Sequence, residues 1–144
     1  LPSELQAAYL YAQLLAAETI NEQRLPLWNR YHQQLSILNQ NDKKLELPYI
    51  PKQCTHNAHM YYIKLPTSDE RTAFINYMKS NQIQTPFHYV PLHSSPAGIK
   101  YCRFSGKDTY TTIESEKLVR LPLWFNLTIE EVDRVVEQVI KYFN

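Results

Sequence analysis

The sequence predicts an α+β fold: a small, mainly antiparallel sheet covered by helices, with a long helix at the N-terminus. Three observations carry that expectation. Apolar residues recur at helical spacing toward both ends of the chain. Four positions bear the Ser/Thr-x-x-Glu/Gln signature of a capped helix start. Short aromatic and β-branched segments lie between the helical stretches, and helix alternating with strand in this way gives a small sheet with helices packed on it.

Ser3-Glu4-Leu5-Gln6 opens the first helix, and Leu5, Ala8, Tyr9, Ala12, Leu15, Ala16 and Ile20 give its stripe. Trp28, Tyr31, Leu35 and Leu38 continue the stripe beyond Pro26, where a missing N–H and a ring clash predict a kink or break. From Leu5 to Ala17 the helix is apolar on more than one face, so it calls for neighbours on more than one side. A further domain or a partner subunit answers that need; so does the centre of a self-contained domain, and the pattern leaves both open. Asn39 to Lys44 reads as a loop. Ala58 to Leu65 (AHMYYIKL) has the bias of a strand. Thr67-Ser68-Asp69-Glu70 then caps a helix from about Glu70 to Ser80 that buries Phe74, Tyr77 and Met78. Thr85 to Val90 and Arg120 to Phe125 read as shorter strands, with Pro86 and Pro122 pushing them toward edges or strand starts. Ser94 to Asp108 is a second loop. Thr111-Thr112-Ile113-Glu114 and Thr128-Ile129-Glu130-Glu131 match the capping pattern again, and Val132, Val135, Val136, Val139, Ile140 and Phe143 give the last helix a clear apolar face.

The chain has 144 residues, enough for one domain with a real core, and 44% hydrophobic against 20% charged residues marks it as globular. Two glycines against nine prolines exclude a P-loop, a dinucleotide fingerprint or a kinase-type loop, all of which need clustered glycines. Fifteen basic and fourteen acidic residues leave no footprint for duplex nucleic acid, so no nucleic-acid partner is expected. No apolar run approaches the ~18 residues of a membrane span, and the start lacks a signal peptide's basic and apolar regions. The chain opens on Leu1 without a methionine, so polypeptide upstream is expected. Cys54 and Cys102 stand apart, which fits a reducing cytosol and a cytoplasmic location better than a disulfide framework.

Chemistry is sparse. His56 and His59 are three apart, but on a segment entering a strand they face opposite ways, and neither Cys54 nor a carboxylate completes a zinc set; no metal is expected. Cys54 near His56 lacks a third group to orient the base, and no carboxylate pair stands out as an acid–base couple. His32 falls on the polar side of its helix, where solvation is expected, and the eleven tyrosines read as packing groups. The segment from Pro86 to Pro96 (PFHYVPLHSSP) is different. Its prolines restrict the backbone and present His88, Tyr89 and His93 with little conformational freedom. Such a loop suits sugar hydroxyls or phosphates, or it is a stiff connection whose histidines cap carbonyls; the residues alone leave both open.

The runs LPSELQAAYLYAQL, NAHMYYIKL, FHYVPLHSSPAG and YTTIESEKLVRLPLWFNLT, in this order along essentially the whole chain, resemble the sugar aminotransferases of the DegT/DnrJ/EryC1/StrS family. The resemblance implies that residues 1–144 are the small C-terminal domain of a fold-type-I enzyme dependent on pyridoxal 5'-phosphate. It implies a homodimer with its active sites at the subunit interface. The Schiff-base lysine and the acidic partner of the cofactor ring are then upstream, so no residue here is catalytic and this chain alone neither binds the cofactor nor turns over. The implied reaction moves an amino group from glutamate to C4 of a nucleotide-linked 4-keto-6-deoxyhexose. Here the implied contribution is one wall of the substrate cleft, from His93, His88 and Tyr89, with Asn57 and His59 as weaker candidates that serve the start of the central strand. A dehydratase branch of the family, and a stand-alone binding or interaction domain, remain open alternatives at this stage.

Overall fold

A computed structural model describes residues 2–41 and 45–144. Helix α1 (Glu4–Leu15) is followed by α2 (Ala17–Asn41), strand β1 (Tyr61–Lys64) and helix α3 (Ser68–Ser80). A single 3-10 turn (Leu92–Ser94) leads into α4 (Pro96–Tyr101), α5 (Thr111–Lys117), β2 (Leu118–Leu121) and α6 (Ile129–Phe143). The fold is the expected α+β arrangement.

Two reciprocal capping boxes form as the sequence predicts. Ser3 and Gln6 exchange hydrogen bonds at the start of α1, and Thr128 and Glu131 do so at the start of α6. Thr67 caps α3 through the Glu70 N–H. The fourth cap differs: Thr111 is already helical, and Asp108 accepts the N–H groups of Thr111 at 3.0 Å and Thr112 at 3.3 Å. An Asp three residues earlier outcompetes the threonine because its carboxylate accepts two donors at once.

Pro26 does not break the helix. The interruption falls at Ala16, and α2 runs through Pro26 to Asn41. Pro26 and Glu22, whose carbonyl loses its partner, are both exposed, which leaves that carbonyl's side of the helix open to solvent. The next turns bury Leu27, Trp28, Tyr31, Leu35 and Leu38, and that apolar surface outweighs a single lost hydrogen bond. The expected loop from Asn39 is helical to Asn41, and positions 42–44 lie outside the described residues.

The sheet is smaller than the sequence suggests. β1 and β2 pair antiparallel, with Tyr61 opposite Leu121, Tyr62 opposite Arg120 and Ile63 opposite Val119. Single bridges extend it on both sides, Glu46 to Lys64 and Phe87 to Val119. The strand expected at Thr85–Val90 is reduced to that bridge and one bond from the Arg120 N–H to the Pro86 carbonyl, because prolines at 86 and 91 remove ladder donors. The strand expected from Arg120 to Phe125 lies two residues earlier, so Pro122 falls just outside the ladder.

Alternation places Tyr61, Ile63, Val119 and Leu121 inward and Tyr62, Lys64, Leu118 and Arg120 outward. The inward set meets α2, Phe74 and Met78 of α3, and Val132, Val135, Val136 and Val139 of α6. Tyr77 packs on this core only partly buried. Polar ties lock the layers: Arg30 of α2 forms a bidentate pair with Asp133 of α6 at 2.8 and 2.9 Å, and the buried Tyr31 hydroxyl donates to the Pro122 carbonyl. His32 is not simply solvated. Its ring stacks on Trp28 at 4.9 Å, and burial holds its pKa below the usual imidazole value, helped by the charge of His56.

Helix α1 stands apart. No residue of it is buried, and Leu5 and Leu15 are 82% and 72% exposed.

Candidate functional site

The segment from Pro86 to Thr112 runs from the edge of β2 to the start of α5 and carries the three principal candidates. Its conformation follows from local chemistry. Pro91 precedes the 3-10 turn that holds His93, and the Ser95 hydroxyl then caps α4 by accepting the Gly98 N–H at 3.0 Å. Gly98 is required by contact: a Cβ there would lie 1.7 Å from the Leu92 carbonyl oxygen. One of the two glycines of the chain therefore closes the turn that presents His93.

His93 is tied down. Its Nε2 lies 2.9 Å from an Asp108 carboxylate oxygen, and the Thr112 hydroxyl donates to that same oxygen. That hydroxyl bond, working against partial burial and joined by the Thr112 N–H and His93, holds the Asp108 carboxyl below the usual carboxylate range. An ionised Asp108 only accepts, so the shared proton belongs on His93 Nε2, and Nδ1 has no protein partner among the described residues. The Phe104 ring lies 4.4 Å from the imidazole. Beside them opens a cavity of about 360 Å³, lined by Leu92, His93, Tyr101 and Phe104 among others. A fixed imidazole with one nitrogen unpaired, on the rim of a largely apolar hollow, is suited to accept a hydrogen bond from a hydroxyl.

His88 and Tyr89 belong to a second group. Their rings are 3.8 Å apart, and the Arg120 guanidinium faces the Tyr89 ring at 5.7 Å. Burial, and then the charges of Arg120 and His59, keep His88 below the usual imidazole pKa. No hydrogen bond or ring contact joins this group to His93 among the described residues. Asn57 and His59 are exposed. The Asn57 side chain accepts the His59 N–H at 3.1 Å, forming a turn just before β1. Two residues escaped the sequence reading: Asp108, signalled only by its spacing to Thr111 and Thr112, and Arg120, signalled by strand alternation.

The described residues hold no groups of His, Cys, Asp and Glu placed to bind a metal, and no helix long and apolar enough to cross a membrane.

Comparison with solved structures defines the class. DesV of S. venezuelae, solved in complex with a ketimine intermediate, superposes with a TM-score of 0.80 at 23% identity over 96% of this chain and 36% of its own. NtdA of Bacillus subtilis, solved with the cofactor PMP, superposes at 0.70 with 26% identity over 85% of this chain and 28% of its own. The fold is that of part of a fold-type-I aminotransferase.

The chain belongs to the DegT/DnrJ/EryC1/StrS aminotransferase family, matched over residues 3–140. Two curated relatives are similar along it. The 3-oxo-glucose-6-phosphate:glutamate aminotransferase of Bacillus subtilis (strain 168) is 30% identical over 135 residues, 92% of this chain and 30% of the relative. The dTDP-3-amino-3,6-dideoxy-alpha-D-galactopyranose transaminase of Aneurinibacillus thermoaerophilus is 31% identical over 140 residues, 96% of this chain and 36% of the relative. The chain spans about a third of the length of these proteins.

The family depends on pyridoxal phosphate, and the described residues do not fit that group. A Schiff-base lysine must be available as a free amine. Lys64, the partly buried lysine of the sheet, is instead held by Glu114 and Glu46 at 2.6 Å each; they overcome the effect of burial and raise its pKa above the ordinary lysine value. Gly98 is filled by its own turn and cannot admit a phosphate.

Proposed function

We propose that residues 1–144 form the small C-terminal domain of a sugar aminotransferase and supply one wall of its sugar-binding cleft. The reaction replaces the C4 carbonyl of a nucleotide-linked 4-keto-6-deoxyhexose with an amine while glutamate becomes 2-oxoglutarate. The sequence motifs resemble the branch that forms dTDP-4-amino-4,6-dideoxygalactose for enterobacterial common antigen. The cofactor and its lysine lie in a large domain upstream, in a cytoplasmic homodimer.

One observation carries the reading: His93, held by Asp108 and Thr112 and presented by the turn that Gly98 closes, on the rim of the hollow. In the working enzyme its Nδ1 accepts a hydrogen bond from a sugar hydroxyl, Tyr89 packs on the sugar, and His88 lines the approach. Support for a covering surface comes from α1, whose exposed Leu5, Tyr9, Leu10, Tyr11, Leu14 and Leu15 form a patch too apolar to face water in the finished assembly. The rest of the polypeptide or the second subunit covers it.

The carbonyl position is open to direct test. The two relatives are named for position 3 of the sugar, whereas the motifs point here to position 4. The complete enzyme, given dTDP-4-keto-6-deoxyglucose or its 3-keto isomer with glutamate, is expected to aminate the 4-keto sugar, read by product mass and 2-oxoglutarate release. Preference for the 3-keto isomer overturns the position. No product from either overturns the aminotransferase reading and favours dehydration or a binding role.

A further inference from the structure

An imidazole holds the turn that leads into β1. His56 is half-buried, and its Nδ1 accepts the Ala58 N–H at 3.3 Å. A backbone N–H only donates, so Nδ1 is bare and the neutral ring keeps its proton on Nε2. That bond sustains an unfavourable backbone. Ala58 is buried with a φ of 48°, in the left-handed region that an alanine seldom adopts. The next residue repeats the pattern in a form that cannot titrate, because the Asn57 side-chain oxygen accepts the His59 N–H at 3.1 Å.

The turn is also clamped to α2 through Trp28. The His56 ring lies 4.4 Å from the indole, and the indole Nε1–H donates to the Met60 carbonyl at 3.1 Å. His32, one turn further along α2, stacks on the same indole at 4.9 Å. From β1, the Tyr61 ring meets the indole edge-on at 5.2 Å, and its hydroxyl lies 3.4 Å from His32 Nδ1. The titratable neighbours are thus His32 of α2, Tyr61 of β1, and Cys54 and His59 of the segment itself. Burial raises the Tyr61 pKa above the ordinary tyrosine value, so it stays a neutral phenol, and Cys54 is exposed. Among the described residues no carboxylate pairs with His32 or His56.

A proton on His56 therefore finds no anion beside it and turns Nδ1 into a donor aimed at a donor. It also sets a cation near His32, which burial and the charge of His56 already keep below the usual imidazole pKa. Attraction between that cation and the indole is tolerant of ring movement, whereas the Ala58 hydrogen bond is lost outright.

We propose that His56 is a pH-sensitive latch: its neutral ring pins residues 56–60 to α2, and its protonation frees them. The turn borders the candidate site, since the charge of His59 acts on His88, so release of the turn changes the surroundings of that imidazole. The latch rests on the fold alone and holds whichever sugar the complete enzyme aminates.

The test is amide hydrogen exchange in the complete enzyme, read by mass spectrometry on peptides spanning residues 55–62 and corrected for the intrinsic pH dependence of exchange. The wild-type turn is expected to lose at least about tenfold in protection between about pH 8 and pH 5, where imidazoles titrate, while peptides of α6 keep theirs. His56→Asn supplies an oxygen that accepts the same N–H and takes no proton, so its turn is expected to stay protected throughout. His56→Ala is expected to lack protection at every pH. Wild-type protection that does not change with pH overturns the latch, as does an equal pH dependence in His56→Asn. Loss of protection in α6 together with the turn is global unfolding and overturns it too.

Discussion

The face built from α2, α3, α6 and the sheet is held by burial, whereas the segment from Pro86 to Thr112 is held by local polar chemistry. In the first region Tyr31, Leu35, Tyr61, Ile63, Phe74, Met78, Val119, Val132 and Val139 are fully enclosed. In the second no side chain is fully enclosed, and conformation depends on a capping serine, a contact glycine, two flanking prolines and the His93–Asp108–Thr112 bonds. The difference separates scaffold from site. Burial tolerates volume-conserving change, but a polar turn presenting one imidazole loses its geometry when a single atom is misplaced.

The comparison breaks most visibly in the core. Phe74→Ala removes a wholly buried ring packed edge-on against Tyr142, and is expected to cost about 3–5 kcal/mol in denaturant unfolding. A loss below 1 kcal/mol would mean that this region is not the scaffold. Gly98→Ala is next. The added methyl meets the Leu92 carbonyl, so the turn must shift at a cost of about 1–3 kcal/mol. The His93–Asp108 bond should open with it, read as a change in the His93 imidazole resonances.

Acid sharpens the contrast between the two regions. Asp108 and Asp133 have carboxyl pKa values below their ordinary range, and Glu114 likewise, with the Lys64 hydrogen bond as its largest cause. A depressed carboxyl contributes stability that is present above the unfolded value near ~4 and is lost as pH falls through the lower folded value. Thermal stability is therefore expected to decline below about pH 4. Asp133→Asn should flatten that decline, and Asp108→Asn should do so with release of His93. The smallest effect is expected on α1, where Leu10→Ala changes the stability of the isolated chain by less than about 0.5 kcal/mol. Leu10→Glu should nonetheless lower the sedimentation coefficient of the chain at high concentration if its exposed apolar residues drive association, and an unchanged coefficient removes that surface from the account.

Much of this was legible in the sequence, for reasons that differ between elements. The valines of α6 and the boxes at Ser3 and Thr128 are local signals, and they formed as read. Pro26 misled because propensity is local while the burial of Leu27 and Trp28 is not. The segment after Thr85 has strand composition, but its prolines leave too few donors for a ladder. His32 looks solvated on a helical wheel, yet the segment before β1 brings His56, and β1 itself brings Tyr61, against the Trp28 ring on which His32 stacks. At the candidate site the prolines and histidines were visible and their partners were not. Asp108 lies fifteen residues from His93, and Arg120 lies across a bridge that only folding makes.

The central claim is that the His93 turn faces the sugar and not the amino donor. It is tested most directly by measuring the two half-reactions of the complete enzyme separately with His93→Ala. Sugar-nucleotide amination is expected to slow at least about tenfold, the loss of one hydrogen bond to the sugar, while conversion of glutamate to 2-oxoglutarate proceeds at the wild-type rate. Equal slowing of both halves would contradict the account and make the turn a structural support.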